Sequence, residues 1–158
     1  MVVYSAYGVG RVATRETRAG SEQELVVLEL ADGLRVSLPI DRAHEQLRSL
    51  ASEADLKRVQ ETLRHERAVS TGPWLSRQRE SRAKLTSGDP VDLAEIVRDG
   101  ASRQELLNAK GSKAQLSEGE RRLFSKARQL LADEIAHVRG QPADDADEWI
   151  GEQLAHAS

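Results

Sequence analysis

The chain contains no cysteine among its 158 residues. A disulfide framework, a thiolate zinc site, an iron–sulfur cluster and a cysteine nucleophile are therefore excluded. It also lacks an apolar run near the roughly 20 residues of a membrane-spanning helix, and a basic segment followed by an apolar signal core. We expect a soluble protein of a reducing, cytoplasmic compartment with no membrane partner.

Aromatic residues are scarce, at 3% of the chain: one Phe, two Trp and two Tyr. Each of the two tryptophans is therefore a candidate for a specific role. The formal net charge is only -3, from 23 Lys and Arg against 26 Asp and Glu. A chain of this length can bury about 70% of its unfolded surface, so its core needs no metal to be stable.

The near balance of charge hides two regions of opposite sign. Residues 64–84 hold six Arg and Lys against two Glu, whereas residues 141–158 hold five acidic residues and no Lys or Arg. Charge separation of this kind is informative about binding partners and not about the fold.

The first 40 residues have the pattern of a small sheet. Four apolar runs are typical of strands, at Val2–Tyr4, Val9–Val12, Leu25–Leu30 and Leu34–Leu38. Asp32-Gly33 predicts a tight hairpin, because glycine accepts the positive φ of such turns, and residues 18–21 predict a second turn. We expect four or five antiparallel strands in a barrel or curled sheet, with an open edge that could accept a partner's strand.

After Pro39 the apolar spacing is helical. The first predicted helix carries Leu47, Leu50, Leu56, Val59 and Leu63, with Ser52 or Asp55 as its cap. A second helix opens at Trp74 and ends at Gly88. Asp89-Pro90 starts a third, which we predict to close at Asp99-Gly100 before a short helix over residues 102–109.

The last two predicted helices have clear starts. Ser117 and Glu120 form a predicted capping box, in which each side chain binds the other's backbone amide, and the long helix they open ends at Gly140. A final helix over residues 143–155 uses Trp149 in its apolar face. The sequence predicts an α+β fold, with a small antiparallel β module at 1–42 and an all-helical domain at 43–158.

Signals of catalysis are weak. The four histidines are scattered, without the HExxH spacing that places two imidazoles on one helix face. Gly8-Val9-Gly10 lacks the third glycine of a dinucleotide loop, and the acidic residues 144–147 are explained by the helix dipole. We predict no enzyme, no catalytic residue, no metal and no cofactor.

The segment that starts at Trp74 favours nucleic acid. Arg77, Arg79, Arg82 and Lys84 spread positive charge around its helix, and long cations displace counterions from a phosphate backbone. A planar apolar side chain at the helix start could wedge into a base step from the minor groove. The alternative is a solvated basic face with Trp74 capping the helical core. Trp149, without basic neighbours, is expected in the core.

Several ordered blocks resemble the CarD/CdnL family. The opening Val2-Val3-Tyr4-Ser-Ala-Tyr-Gly8-Val9-Gly10 is similar to the family's N-terminal module, which is shared with the transcription-repair coupling factor. Trp74 through Asp99 resembles its helical domain. The blocks at 116–123 and 126–131 continue the match, so the resemblance covers nearly the whole chain.

This resemblance implies a non-enzymatic bacterial transcription regulator. Its Tudor-like N-terminal module would bind the β subunit of RNA polymerase, through a position that maps to Arg18. A second polymerase-contacting position is Ser37 here, with Arg35 two residues back on the same face. The helical domain would contact promoter DNA, without sequence preference, at the upstream edge of the bubble.

In the family this DNA contact stabilises the open complex, because a tryptophan that maps to Trp74 wedges into the minor groove. Basic residues after it map to Arg77 and Arg79. The protein would be a monomer, associated with the nucleoid through polymerase. Two alternatives stay open: a divergent paralogue that binds polymerase or another protein without touching DNA, and a hydrolase or ligand-binding protein with an unrecognised site.

Overall fold

A computed structural model describes residues 1–17, 20, 22–65, 73–111 and 116–157. Its strands are β1 (Val2–Tyr4), β2 (Gly8–Thr17), β3 (Glu24–Leu30), β4 (Arg35–Pro39) and β5 (Leu47–Ser49). Its helices are α1 (Ile40–Gln46), α2 (Glu53–Arg64), α3 (Trp74–Ser87), α4 (Pro90–Lys110), α5 (Glu118–Arg139) and α6 (Ala143–Ala155). A sheet followed by helices confirms the predicted α+β class. In the described ranges no helix is both long and apolar enough to cross a membrane.

The five strands form one curled antiparallel sheet in the order β4-β3-β2-β1-β5. Its core consists of Val26, Leu28 and Leu38, and α1 covers it with Ala43. The side chains of Val26 and Leu28 are two residues apart on β3, so they lie on the same face of the sheet. We call residues 1–49 the sheet module.

The hairpin predicted at Asp32-Gly33 is confirmed. Gly33 has a φ of 83°, the left-handed region that glycine enters without steric cost. The Leu34 amide donates to Asp32 Oδ1 over 2.9 Å, and the Leu30 amide donates to the Leu34 carbonyl over 2.9 Å. Of the turn predicted at 18–21, only Gly20 is among the described residues, with a φ of 80°.

The assignment of Leu47 to a helix is wrong. Leu47–Ser49 is strand β5, in which Tyr4 pairs with Leu47 and Val2 with Ser49. Pairing with β1, at the other end of the module, overrides the local helical spacing. The sheet therefore extends past residue 42. Helix α2 begins only at Glu53.

A capping box fixes the start of α2. Ser52 Oγ accepts from the Asp55 amide over 3.1 Å, and Asp55 Oδ2 accepts from the Ser52 amide over 2.9 Å. The bond from the Ser52 amide and the neighbouring Arg58 guanidinium hold the pKa of the Asp55 carboxyl below its usual value. The helix is thus oriented by residues that immediately follow the sheet module.

Helices α2, α4, α5 and α6 enclose a second core. Its largest fully buried side chains are Leu56, Leu63, Leu93, Leu131, Ile135 and Ile150. Trp149 is half-buried against this core, and the Arg139 guanidinium lies 4.6 Å from the centre of its ring. The expectation that Trp149 belongs to the core is confirmed. We call residues 53–157 the helical domain.

The prediction that Asp99-Gly100 ends a helix is wrong, because α4 continues unbroken to Lys110. Gly100 lies in mid-helix beneath the ring of Phe124 from α5. A Cβ at position 100 would lie 2.2 Å from Phe124 Cδ2. The glycine is therefore a point of close helix–helix approach and not a helix end.

Replacing Gly100 by alanine is expected to destabilise the fold by about 1–2 kcal/mol in urea denaturation. Alanine favours the helix by about 1 kcal/mol, whereas displacing a packed side chain costs about 1–3 kcal/mol. The upper part of that range, about 2–3 kcal/mol, applies here because the new Cβ would lie only 2.2 Å from Phe124 Cδ2. Gly119→Ala is the matched control, since a Cβ there meets only Gln78 Nε2, at 3.8 Å, and should be neutral or stabilising. Equal stability changes in the two variants would contradict the packing explanation.

Candidate nucleic-acid interface and its connection to the sheet

Helix α3 has the ends that the sequence predicts. It begins at Trp74 after Pro73 and ends at Gly88, whose φ of 67° is left-handed. Asp89 then caps α4, accepting from the Val91 amide over 2.9 Å, with Pro90 in the first turn. The two helices are therefore joined by only two residues, Gly88 and Asp89.

Two of the predicted DNA-binding residues are held in ion pairs. Lys84 Nζ lies 3.0 Å from Glu95 Oε2 and 3.5 Å from Glu80 Oε1. Arg77 NH1 lies 3.9 Å from Glu120 Oε1. Both side chains are largely buried. Their charges tie α3 to α4 and to α5.

The other two, Arg79 and Arg82, are exposed on α3. Neither forms an ion pair with any residue that the structure describes. The basic helix thus divides into a paired side, with Arg77 and Lys84, and an exposed side that carries uncompensated positive charge.

The predicted capping box of α5 is only half formed. Ser117 Oγ accepts from the Glu120 amide over 3.2 Å, as expected. The Glu120 carboxylate does not return to Ser117, because Arg103 Nε donates to its Oε2 over 3.0 Å and Arg77 lies beside its Oε1. Two cations attract the carboxylate more strongly than one backbone amide.

Two predicted site groups, the Arg18 residue and the Trp74 side chain, lie outside what the structure describes. The backbone of Trp74 is the first residue of α3. By helical periodicity, position 74 falls on the same row as Gln78, Ser81 and Leu85, all of which are half-buried.

Arg35 lies on the outer face of the sheet module. It is exposed, and its NH2 is 3.6 Å from Glu29 Oε2, which is also 3.5 Å from Arg11 NH2. The strand register places Arg11, Glu29 and Arg35 side by side across β2, β3 and β4. Arg11 is a basic residue of this face that the sequence did not single out.

One contact between the two parts of the chain is an ion pair that is absent from the sequence-based predictions. Arg48 of β5 donates to both carboxylate oxygens of Glu134 on α5, from NH1 to Oε2 over 2.7 Å and from NH2 to Oε1 over 2.6 Å. The Ala51 amide also donates to Glu134 Oε2, over 2.8 Å. Glu134 is 1% exposed. The sequence did contain a signal for this pair, because Glu134 lies in the same helical row as Ala127 and Leu131. An unpaired buried charge is costly, so a glutamate in an apolar row indicates a basic partner.

Arg48 also reaches the junction of α3 and α4. Its NH2 donates to the Gly88 carbonyl over 2.6 Å. On the other side of Gly88, a Cβ would lie 2.8 Å from the Ser5 carbonyl oxygen, so glycine permits direct backbone contact with the sheet module. The C-terminal end of α3 is thereby fixed to the sheet module. Its N-terminal end, at Trp74, is roughly 20 Å away along the helix axis.

No converging set of metal ligands occurs in the part of the chain that the structure describes. Asp147 of the acidic C-terminal region binds Arg128, with Oδ1 2.7 Å from Nε. A groove between α4 and α5 is lined partly by Leu116 and Phe124 and opens to solvent. These features give no support to the hydrolase alternative.

Comparison with known families decides the identity of the chain. Residues 58–151 match the model "CarD, C-terminal domain", and residues 1–51 match the "CarD-like/TRCF RID domain". The chain belongs to the CarD family. It is similar to "Putative transcription factor YdeB" of Bacillus subtilis (strain 168), at 24% identity over 143 residues, which cover 88% of this chain and 89% of that protein.

CarD-family membership gives the general function. The family is one of transcription factors, and membership in it indicates a role in transcription regulation through interaction with RNA polymerase. The domain shared with the transcription-repair coupling factor coincides with the sheet module and ends two residues beyond β5.

Proposed function

We propose that this CarD-family protein stabilises the promoter open complex. The sheet module docks on the β subunit of RNA polymerase, and α3 holds Trp74 against the minor groove at the upstream edge of the bubble. The observation that carries this proposal is the contact of Arg48 with both Glu134 and Gly88. This contact fixes the C-terminal end of α3 to the sheet module, which is the part proposed to dock on polymerase.

RNA polymerase brings the protein to the promoter, so the contact between α3 and DNA can be weak. A protein of net charge -3 gains little from free duplex DNA, yet Arg79 and Arg82 provide local positive charge for phosphates once the module is docked. To contact phosphates, Arg77 and Lys84 would first have to leave their carboxylate partners. The contact is independent of sequence because phosphates carry no sequence information.

The Trp74 side chain stabilises the open complex because it binds the open bubble more tightly than the closed duplex. Unstacking a base step costs a few kcal/mol, which an inserted ring recovers only where the step is already open. A ligand shifts an equilibrium by its difference in affinity for the two states, and about 1.4 kcal/mol shifts it tenfold. A tryptophan that inserts only beside an open bubble therefore slows bubble closure.

The polymerase contact would use the outer part of the sheet module. Strand β4 is an edge strand in the described sheet and carries Arg35. An open edge can accept a strand from a partner, with side chains on that edge supplying specificity. Arg18 is the second proposed contact, carried over from the family.

Reversing the charge of Arg35 is expected to weaken binding to the polymerase β lobe about tenfold, because a desolvated interfacial charge is replaced by a repulsive one. The measurement is a pull-down titration with Arg35→Glu. The matched control is Arg122→Glu, since both arginines are exposed, at 68% and 78%, and both pair with a surface glutamate. An equal loss in the two variants would contradict the assignment of Arg35.

The function itself is tested by the lifetime of a polymerase–promoter open complex after addition of a DNA competitor. The proposal predicts a longer lifetime with the wild-type protein than without it. An unchanged lifetime at saturating protein would refute the proposed function while leaving the family and the fold as they are.

One observation favours a second candidate, a polymerase-binding module that does not touch DNA. Position 74 shares its helical row with Gln78, Ser81 and Leu85. These residues are half-buried, as is typical of a helix row that packs against a core. Acrylamide quenching separates the two. In a Trp149→Phe background Trp74 is the sole tryptophan, and a wedge must be quenched as an exposed indole in the free protein.

A further inference from the structure

The exposed side of α3 includes a row of four residues: Leu75, Arg79, Arg82 and Thr86. Their spacing of four, three and four places them one above the other on one face of a helix. We call them the outer row. The row runs from the N-terminal end of α3 to the end that is fixed at Gly88.

Leu75 is 67% exposed, the highest value among the large exposed hydrophobic side chains in the described part of the chain. An isolated exposed leucine is ordinary in a soluble protein. Leu75 differs from such cases in its surroundings. It begins the row that holds Arg79 and Arg82, the two arginines of α3 that form no ion pair with a residue in the described ranges, and it is adjacent to Trp74 in sequence.

The combination fits DNA better than an apolar protein surface. An apolar partner would have to bury two uncompensated guanidinium groups, which is costly unless they are paired. A DNA backbone pairs them with phosphates, and leucine is among the apolar side chains that proteins insert between base steps from the minor groove. Arg79 and Arg82 are roughly 4.5 Å apart along the helix axis, so both can reach one stretch of backbone.

We propose, resting on the proposed function, that the outer row is the DNA-facing surface of α3. Leu75 inserts beside Trp74 in the minor groove as a second apolar contact, and Arg79 and Arg82 bind phosphates. Arg77 and Lys84 orient the helix through Glu120, Glu80 and Glu95 and do not contact DNA. This assignment divides the basic helix into cations that contact DNA and cations that hold the helix in place.

The test measures the open-complex lifetime with each variant, divided by the lifetime without the protein, over a series of KCl concentrations. Leu75→Ala is expected to lower this ratio about fivefold at every salt concentration, since it removes apolar burial and no charge. Leu106→Ala on α4 is the matched control, an exposed leucine at 43%, and should leave the ratio unchanged.

The arginine variants give an independent readout. Arg79→Gln and Arg82→Gln should each reduce the slope of the logarithm of this ratio against log salt by about one, because each phosphate contact releases about one counterion. Arg77→Gln should leave that slope unchanged. A slope change with Arg77→Gln as large as with Arg79→Gln would overturn the division of the helix.

The outcomes separate this inference from the proposed function. If the wild type lengthens the lifetime and Trp74→Ala abolishes the effect, but Leu75→Ala behaves as Leu106→Ala, only the inference about the outer row is wrong. If Leu75→Ala instead reduces retention on polymerase, the row contacts protein and the DNA assignment is overturned. If the wild type has no effect on lifetime, both fail.

Discussion

Replacing Glu134 by alanine is expected to destabilise the protein by about 3 kcal/mol, measured as the free energy of unfolding in urea. The substitution leaves Arg48 with an uncompensated charge and removes the acceptor of the Ala51 amide. Removing one partner of a buried ion pair typically costs 3–5 kcal/mol. The lower end applies here, because the Arg48 side chain is 29% exposed and water can reach it.

A double variant distinguishes loss of the ion pair from loss of packing as the cause of this destabilisation. Arg48→Met with Glu134→Leu should regain part of the lost stability, since replacing both members of a buried pair by apolar residues is often neutral or better, while the Ala51 amide still lacks its acceptor. Arg48 Nε is buried with no hydrogen-bond partner in the described structure, so its removal carries no penalty of its own. A double variant as unstable as Glu134→Ala would contradict the ion-pair explanation.

The same double variant probes function. It loses the bond from Arg48 to the Gly88 carbonyl, so this end of α3 keeps its packing against the sheet module but not that hydrogen bond. We expect it to bind the polymerase β lobe normally and to prolong the open complex less than the wild type. Full activity of a stable double variant would show that this bond is not needed to orient α3.

Replacing Trp74 by alanine is expected to abolish most of the stabilisation of the open complex while leaving polymerase binding intact. The indole is proposed to contact DNA only when the bubble is open, so its loss acts on that state alone. A state-specific contact of 1.4–2.8 kcal/mol corresponds to a lifetime change of about 10- to 100-fold. The measurement is the open-complex lifetime at saturating protein.

Two variants control for this prediction. Trp74→Phe keeps a planar ring and should retain part of the effect, because aromatic side chains act as wedges through their apolar surface. Trp149→Phe changes the other tryptophan, which packs on the helical core beside Arg139, and should leave the lifetime unchanged. Equal stabilisation by Trp74→Ala and wild type would rule out the wedge.

The parts of the fold that depend on local signals could be predicted from the sequence. Glycine and aspartate at Asp32-Gly33 determine a turn through backbone φ and a side-chain bond. Gly88, Asp89 and Pro90 define a helix junction through preferences of single residues. The serine at position 117 starts α5 for the same reason.

The parts of the fold that depend on residues distant in the sequence could not be predicted in this way. Strand β5 exists because β1 pairs with it, and Gly100 stays helical because Phe124 packs on it. In the site, the sequence predicted a basic helix but could not say which cations are free. Lys84 has a local partner, Glu80, four residues earlier. The carboxylates that Arg77 and Lys84 meet on α5 and α4 are distant in sequence, and nothing in the local pattern distinguishes Arg77 from Arg79 and Arg82.

The central claim is that one end of the molecule docks on polymerase while the other acts on DNA. The most direct measurement is a titration of open-complex lifetime with wild type, Arg35→Glu and Trp74→Ala. We expect Arg35→Glu to need about tenfold more protein than the wild type but to reach the same maximum open-complex lifetime. Trp74→Ala should saturate at the wild-type concentration with most of the plateau lost. A Trp74→Ala variant that reaches the full plateau would contradict the account.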